Sequence, residues 1–493
     1  MNLIELSSPI LNKRIVGNID LNINGMEVDS RKVKSGNLFI CLPGFTVDGH
    51  DYANKAVENG AVALICQREL PIAVPQIIVS DSRLAMSIIS DIFYEQPSHK
   101  LRVIGVTGTN GKTTTTHLIE KILADKGHLS GLIGTIKTKI GNEVFEAKNT
   151  TPDSIELQKN FAKMVDVGSD YAIMEVSSHA LDLGRVRGVD YNIAVFTNLT
   201  QDHLDYHQTM EHYRNAKGLF FSQLGNSYTE AQKENKYAIL NADDDASEYY
   251  KRVTAAQVIT YGIDNTADVR GTNISISANG TRFSLNSFMG SIDINLQMIG
   301  KFSVYNALAA ATVAIVEGVS LEEIKLSLES ITGVDGRFEA VNEGQDFTVI
   351  VDYAHTPDSL ENVLRTVREF SKGRVFCIFG AGGDRDRTKR PIMGAIAMKY
   401  SDFAVVTSDN PRSEDPEKII SDILEGVKRA ENNTFVTITD RKSAIEYAIA
   451  NAKEQDVILI AGKGHETYQI IGKEVIHFDD REIARAAIRG KLS

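Results

Sequence analysis

Short apolar runs recur along the chain, each followed by a longer stretch in which apolar residues return every three or four positions. The first pattern predicts buried strands and the second amphipathic helices, so their alternation predicts parallel sheets joined by right-handed crossovers. In the first hundred residues, strands are expected at 38–42, 61–66 and 76–79, with helices at 51–59 and 83–94. The polar stretch 97–100 reads as a linker. Strands follow at 102–107, 171–176, 193–197 and 237–240, and an amphipathic helix at 115–126. After Thr150-Thr151-Pro152, the residues Ile155, Leu157, Phe161, Met164 and Val165 recur near the helical period, with Asp153 or Ser154 as the cap. From about 255 to 300 the pattern changes to Thr-, Ser- and Asn-rich alternation, which predicts a small antiparallel sheet. Residues 306–316 are nearly all apolar and predict a buried helix. Strands at 348–351, 375–379, 403–407 and 457–461 then alternate with helices opened by Thr356-Pro357 and Asp415-Pro416. The fold class is therefore α/β with three domains, at 1–100, 101–332 and 333–493. The central one is a parallel sheet carrying the antiparallel addition, and the last is Rossmann-like.

At 493 residues the chain is too long for one core, in keeping with that division. Its net charge of −12, without a long Lys/Arg block, argues against nucleic acid as a main partner. Cys41, Cys66 and Cys377 lie far apart among apolar residues, so buried free thiols of a reducing cytoplasm are expected rather than metal ligands or disulfides. No apolar run reaches ~18 residues, and the N-terminus lacks a basic-then-apolar pattern. Neither a membrane span nor a signal peptide is expected.

The strand at 102–107 ends in Thr107-Gly108-Thr109-Asn110-Gly111-Lys112-Thr113-Thr114 and runs into a helix. Glycines there let several backbone N–H groups face one phosphate, the helix start and Lys112 add positive charge, and the Thr113 hydroxyl suits Mg2+. Only two residues separate Gly108 from Gly111, where the usual phosphate loop has four. Glu175, at a neighbouring strand end, offers Mg2+ a hard oxygen. His203 fits a ligand or a helix cap equally well, and Asp202 and Asp205 read as caps. Lys217 alone reads as a helix-surface lysine, and Arg337 as either a solvated charge or an anion clamp. Arg385 and Arg412 sit in turns after strands, where arginine forks bind carboxylates or form surface ion pairs.

Several segments in order carry a resemblance to the Mur ligase family: residues 107–113, 175–179, 198–205, 306–310, 336–339 and 352–357. The short glycine spacing is the family's own, and the resemblance covers essentially the whole chain. Asp409-Asn410-Pro411-Arg412 resembles the signature of its diaminopimelate-adding branch. The resemblance implies an ATP-dependent ligase in cell-wall peptidoglycan synthesis, acting as a cytoplasmic monomer. ATP would phosphorylate the D-Glu γ-carboxylate of UDP-MurNAc-L-Ala-D-Glu, and the meso-diaminopimelate amine would displace phosphate. It implies two Mg2+ ions held by Thr113, Glu175, His203 and a carbamylated Lys217 (N6-carboxylysine). Residues 107–114 with Asn306, Arg337 and Asp352 would bind ATP. Ser30, Phe45, Thr46, Val47, Asn149, Thr150, Thr151, Ser177 and Arg185 would bind the UDP-MurNAc-dipeptide. Arg385, Asp409, Asn410, Pro411, Arg412, Gly462 and Glu466 would bind diaminopimelate. Lysine as the acceptor, a kinase or ATPase that joins no amine, and a nucleotide-driven binding module are the competing expectations.

Overall fold

Strand and helix faces segregate their apolar residues in three successive sheets of the computed structural model, which describes all residues except 45–46, 230–233, 278–279 and 429–433. The first sheet runs, in spatial order, Lys13–Val16, Gln76–Val79, Ala61–Cys66, Asn37–Ile40 and Gly25–Glu27, parallel except for its first strand. The two edge strands, short and half-exposed, carry too little apolar pattern to be expected from sequence. The helix expected at 51–59 divides into a 3-10 turn, Gly49–Tyr52, and an α-helix, Ala53–Glu58. The expected linker is a 3-10 turn, Pro97–Lys100, opened by its proline.

Among the described residues the second sheet has eleven strands, and Arg102–Thr107 lies in its interior, flanked by Tyr171–Glu175 and Ile193–Phe196. The strand is buried throughout. Ile104 and Val106 pack against Leu118, Ile119 and Ile122 of the helix Lys112–Asp125, while Val103 faces Phe161 and Met164 of Ser154–Asp166 on the other side. That is the period of two expected of a strand covered on both faces. The chain first fills one side of this strand and then crosses to the other, so the loop at Gly108 sits where the strand order reverses. The antiparallel meander Val269–Ser277, Gly280–Ser287 and Gly290–Leu296 is not a separate small sheet. Tyr261 and Gly262 pair in parallel with Val269 and Arg270, so the meander extends the edge of the central sheet. The apolar helix begins earlier than expected, spanning Lys301–Val316, and is buried between this sheet and its neighbours.

The third sheet runs Glu339–Ala340, Thr348–Asp352, Val457–Ala461, Val375–Phe379, Phe403–Val406 and Phe435–Thr437. Its helices Pro357–Phe370 and Pro416–Val427 open with proline after the caps Thr356 and Asp415. The strand latest in sequence, Val457–Ala461, lies between two earlier ones, so the loops at 352–355, 380–390, 407–412 and 462–466 leave one end of the sheet as neighbours. A hairpin, Tyr468–Ile471 with Glu474–His477, hangs beside them. The three cysteines are buried and free as expected, with burial pushing Cys41 up to about 12 and Cys66 to about 11. Among the described residues no helix is long and apolar enough to cross a membrane.

Candidate active site

The glycine turn is held by the neighbouring strand end. Thr109 N donates to Asn198 O (2.8 Å), Asn110 N to Asn198 Oδ1 (2.9 Å), and Thr197 Oγ1 to Asn110 O (2.6 Å). Gly111 has φ +85°, and a Cβ there would run into Asn306 Oδ1. A side chain at that position would thus meet both a backbone and a steric penalty. Thr107 precedes the turn on the strand, and Thr114 is buried in the helix's first turn. Thr113 Oγ1 donates to Glu175 Oε2 (3.0 Å). Glu175, fully buried at its strand end, also accepts from Thr135 N (2.8 Å) and Thr135 Oγ1 (3.0 Å). Arg337 reaches across from the third sheet and donates from Nη2 to Thr113 Oγ1 (3.3 Å), its guanidinium 4.7 Å from the Tyr353 ring centre. Its Nε is buried without a hydrogen-bond partner among the described residues. A carboxylate beside a hydroxyl is the hard-oxygen set a divalent cation takes, and the spare guanidinium N–H suits an anion.

Lys112 Nζ folds back onto its own loop, donating to Gly108 O (3.0 Å) and Thr109 O (2.8 Å). Lys217, on the helix Met210–Ser222, is not on the surface. It is 1 % exposed, donates to Gly108 O (2.8 Å), and lies 4.6 Å from the Tyr213 ring centre. Burial, reinforced by Lys112, holds its pKa well below the ordinary lysine value. His203 has a left-handed φ of +55° at a helix start, with Nε2 3.3 Å from Asp202 Oδ2 and its ring centre 4.8 Å from that of His179. Burial drives its pKa down to about 4. Thr113 and Glu175 are brought into contact, whereas Lys217 lies against the loop carbonyl and His203 with the 201–205 loop. Among the described residues no three His, Cys, Asp or Glu side chains converge as a metal cluster.

Asn306 Oδ1 accepts from Thr115 Oγ1 (3.3 Å) beside the glycine turn. Asp352 accepts from Phe338 N (2.7 Å) and Ala354 N (2.8 Å), and burial raises its pKa. These bonds use Asp352 to hold the turn that carries Arg337. Behind Glu175, Thr151 Oγ1 donates to Glu175 O (2.9 Å) and accepts from Ser177 N (3.0 Å), and Arg185 Nη1 donates to Thr151 O (3.2 Å). Thr150 Oγ1 is 3.1 Å from Thr135 Oγ1, and Asn149 is exposed next to it. Ser30 is buried in a 3-10 turn and Val47 is exposed, both on the first sheet's unit. Phe45 and Thr46 lie outside the described residues.

The loops of the third sheet face those of the second across a cavity of about 570 Å³. His203, Arg385, Asp409, Asn410, Arg412 and Glu466 all line it, as does Gly462. Arg412, at φ +52°, donates from Nη1 to Gly383 O (2.9 Å), and its backbone N–H donates to Ile470 O (3.1 Å). Pro411 is buried behind it and does not line the cavity. Exposed Arg385 bonds only to Asp384 O (3.0 Å) among the described residues. Neither arginine forms a surface ion pair there, so both keep guanidinium donors for a ligand.

Three family models match in succession: "Mur ligase family, catalytic domain" over residues 22–96, "Mur ligase middle domain" over 106–314, and "Mur ligase, glutamate ligase domain" over 336–464. The chain belongs to the Mur ligase family. It is 57 % identical over 471 residues to UDP-N-acetylmuramoyl-L-alanyl-D-glutamate–2,6-diaminopimelate ligase of Bacillus cereus, covering 96 % of this chain and 95 % of that one. A solved structure of a ligase of that name superposes with a TM-score of 0.70 at 32 % identity, over 100 % of this chain and 99 % of the other. The fold is shared with the MurF ligase of Thermotoga maritima, solved in complex with ADP, at TM-score 0.64 and 18 % identity over 95 % and 98 % of the two chains.

Three residues of this Mur ligase escaped sequence reasoning. Thr135, in a polar turn, supplies two of the bonds that hold Glu175, and no spacing marks it. Asp358 accepts from Asn110 Nδ2 (2.9 Å) and Thr200 Oγ1 (2.6 Å), tying the phosphate loop to the third sheet's unit, yet it reads locally as an ordinary first-turn acid. Lys463 sits inside the polar stretch 462–466, where its two flanking glycines were the available signal.

Proposed function

We propose that this chain uses ATP to join meso-diaminopimelate to the D-Glu γ-carboxylate of UDP-MurNAc-L-Ala-D-Glu. The observation that carries the assignment is the single cavity lined by His203 of the central unit and by Arg385 and Arg412 of the last one. It adjoins the unit that bears the Thr113–Glu175 pair, which Arg337 touches from across the interface. Domains at 1–100, 101–332 and 333–493 would then bind the UDP-sugar, ATP and the amino acid respectively.

A carboxylate is a poor acyl donor, and transfer of the γ-phosphoryl group makes it a competent one. The γ-carboxylate oxygen attacks phosphorus and ADP leaves. The neutral amine then attacks the acyl carbon, and phosphate departs with the C–O electrons as the nitrogen loses a proton. The chain's part is to bring two anions together and neutralise them. Lys112, swinging from the loop carbonyls, and the N-terminus of Lys112–Asp125 meet the β/γ-phosphates. Asn306 and Arg337 hold the nucleotide from two units, and Asp352 meets its ribose. Thr113, Glu175, His203 and carbamylated Lys217 would hold Mg2+, and the donor chemistry of the first two fits it. When bound, Mg2+ supplies charge neutralisation at the phosphates. Carbamylation needs a neutral amine to form the N–C bond with CO2 and release a proton, and the depressed Lys217 supports it. Ser30, residues 45–47, 149–151, Ser177 and Arg185 hold the UDP-MurNAc-dipeptide. Arg385, Asp409, Asn410, Arg412, Gly462 and Glu466 form the amino-acid site, with Pro411 buried behind them as support.

The test is a coupled ADP-release assay with UDP-MurNAc-L-Ala-D-Glu and either meso-diaminopimelate or L-lysine, with the product mass measured. Diaminopimelate-dependent ADP release with a matching tripeptide product is expected. ADP release independent of the amine, or preference for lysine, overturns the assignment.

A further inference from the structure

Lys463 has a completely buried side chain and does not line the cavity, yet its Nζ donates to two groups that do, Asn410 Oδ1 (3.1 Å) and Glu466 Oε2 (3.0 Å). The Tyr468 ring centre lies 5.5 Å from Nζ. An ammonium has three donors and no acceptor, and two of the three go to these carboxamide and carboxylate oxygens. The consequences for the two partners are specific. Asn410 Oδ1 accepts from Lys463 Nζ and from Ile470 N (3.0 Å), while Asn410 Nδ2 donates to Glu466 Oε2 (2.8 Å). Turning the amide over would set its NH2 against an ammonium and an N–H, so its orientation is locked. Glu466 Oε2 therefore receives two hydrogen bonds, and among the described residues none reaches Oε1.

We infer that Lys463 is a positioning residue for acceptor specificity: it fixes Asn410 and the Oε2 side of Glu466, so that Oε1 faces the charged ammonium of the incoming diamino acid. The inference rests on the amino-acid site proposed above. The amine that attacks must be neutral, whereas a carboxylate holds an ammonium. Glu466 Oε1 therefore serves the non-reacting amino group, while Arg385 and Arg412 serve carboxylates. Replacing Lys463 would leave Glu466 without its buried counter-charge and the Asn410 amide held only by Ile470 N and Glu466 Oε2. Recognition of the second amino group would weaken, and the phosphate loop would be untouched.

The experiment compares kcat/KM for meso-diaminopimelate with that for 2-aminopimelate, which lacks one amino group, in the parent, K463M and K463Q. The parent's preference for meso-diaminopimelate should fall at least about tenfold in K463M and by less in K463Q, which keeps an NH2 group that can donate. The KM values for ATP and for the UDP-MurNAc-dipeptide should not move. A proportional loss on both acceptors, or an unchanged preference, overturns the role of Lys463. Should K463M fail to fold, judged by its melting transition, K463Q decides: a preference equal to the parent's overturns the proposal and a reduced one supports it. A parent that uses neither acceptor instead overturns the assigned reaction, so the two failures are distinct.

Discussion

Removing the Arg412 fork should cost this ligase its diaminopimelate and leave its other substrates in place. The backbone of Arg412 is pinned on both sides, its N–H to Ile470 O (3.1 Å) and its carbonyl to Gly472 N (2.7 Å), and Ala keeps both bonds. Alanine also inherits the φ of +52° at no greater penalty than arginine pays, so Arg412→Ala adds no strain. The side chain gives up its bonds to Gly383 O (2.9 Å) and Asn410 O (3.5 Å), a loss common to every acceptor. What remains is the pairing with a carboxylate. Leaving a charge unmatched in a pocket costs about 2–5 kcal/mol. Arg412 is only half-buried, which places the cost near the lower end, about 2–3 kcal/mol. At 1.4 kcal/mol per decade that is about 30- to 150-fold in kcat/KM for meso-diaminopimelate. L-Lysine has no distal carboxylate, so its kcat/KM should change little. The assay is ADP release at saturating ATP and UDP-MurNAc-dipeptide, with each acceptor varied. Equal losses on both acceptors would make Arg412 merely structural, and unchanged diaminopimelate kinetics would remove it from the site.

Lys217→Ala should abolish ligation, with partial rescue by added short carboxylates; full activity without rescue would mean that the buried lysine only packs. Gly111→Ala should lose nucleotide binding by at least about tenfold, measured calorimetrically with ADP, because its φ is +85° and its Cβ would collide with Asn306; unchanged affinity would contradict the close approach. Glu414 pairs with the fully buried Arg390, at 2.8 Å and 3.0 Å, and this holds its carboxyl down at about 2 from the ordinary 4.5. A depressed carboxyl contributes stability that is complete above 4.5 and disappears as pH falls through about 2. The melting-temperature gap between parent and E414Q should therefore close over that interval, and a gap independent of pH would refute the linkage.

Local pattern sufficed for much of this molecule. Continuous apolar runs such as that within 102–107, capped helices after Thr356-Pro357 and Asp415-Pro416, and the glycine turn before Lys112 are properties of neighbouring residues. Backbone sterics and amphipathic burial read them directly. Chain folding settled the rest, because a hydrogen bond between distant residues leaves no mark in spacing. Lys217 looks like a surface lysine along its helix and becomes a buried amine only where that helix meets Gly108. The meander at 269–296 shows its alternation locally, but its union with the central sheet depends on two residue pairs with Tyr261 and Gly262. The loop at 462–466 joins 409–412 only because the strand Val457–Ala461 inserts between two earlier strands. Burial then selects the contacts that matter, since Thr135, Asp358 and Lys463 are ordinary polar residues until a distant charge must be satisfied away from water.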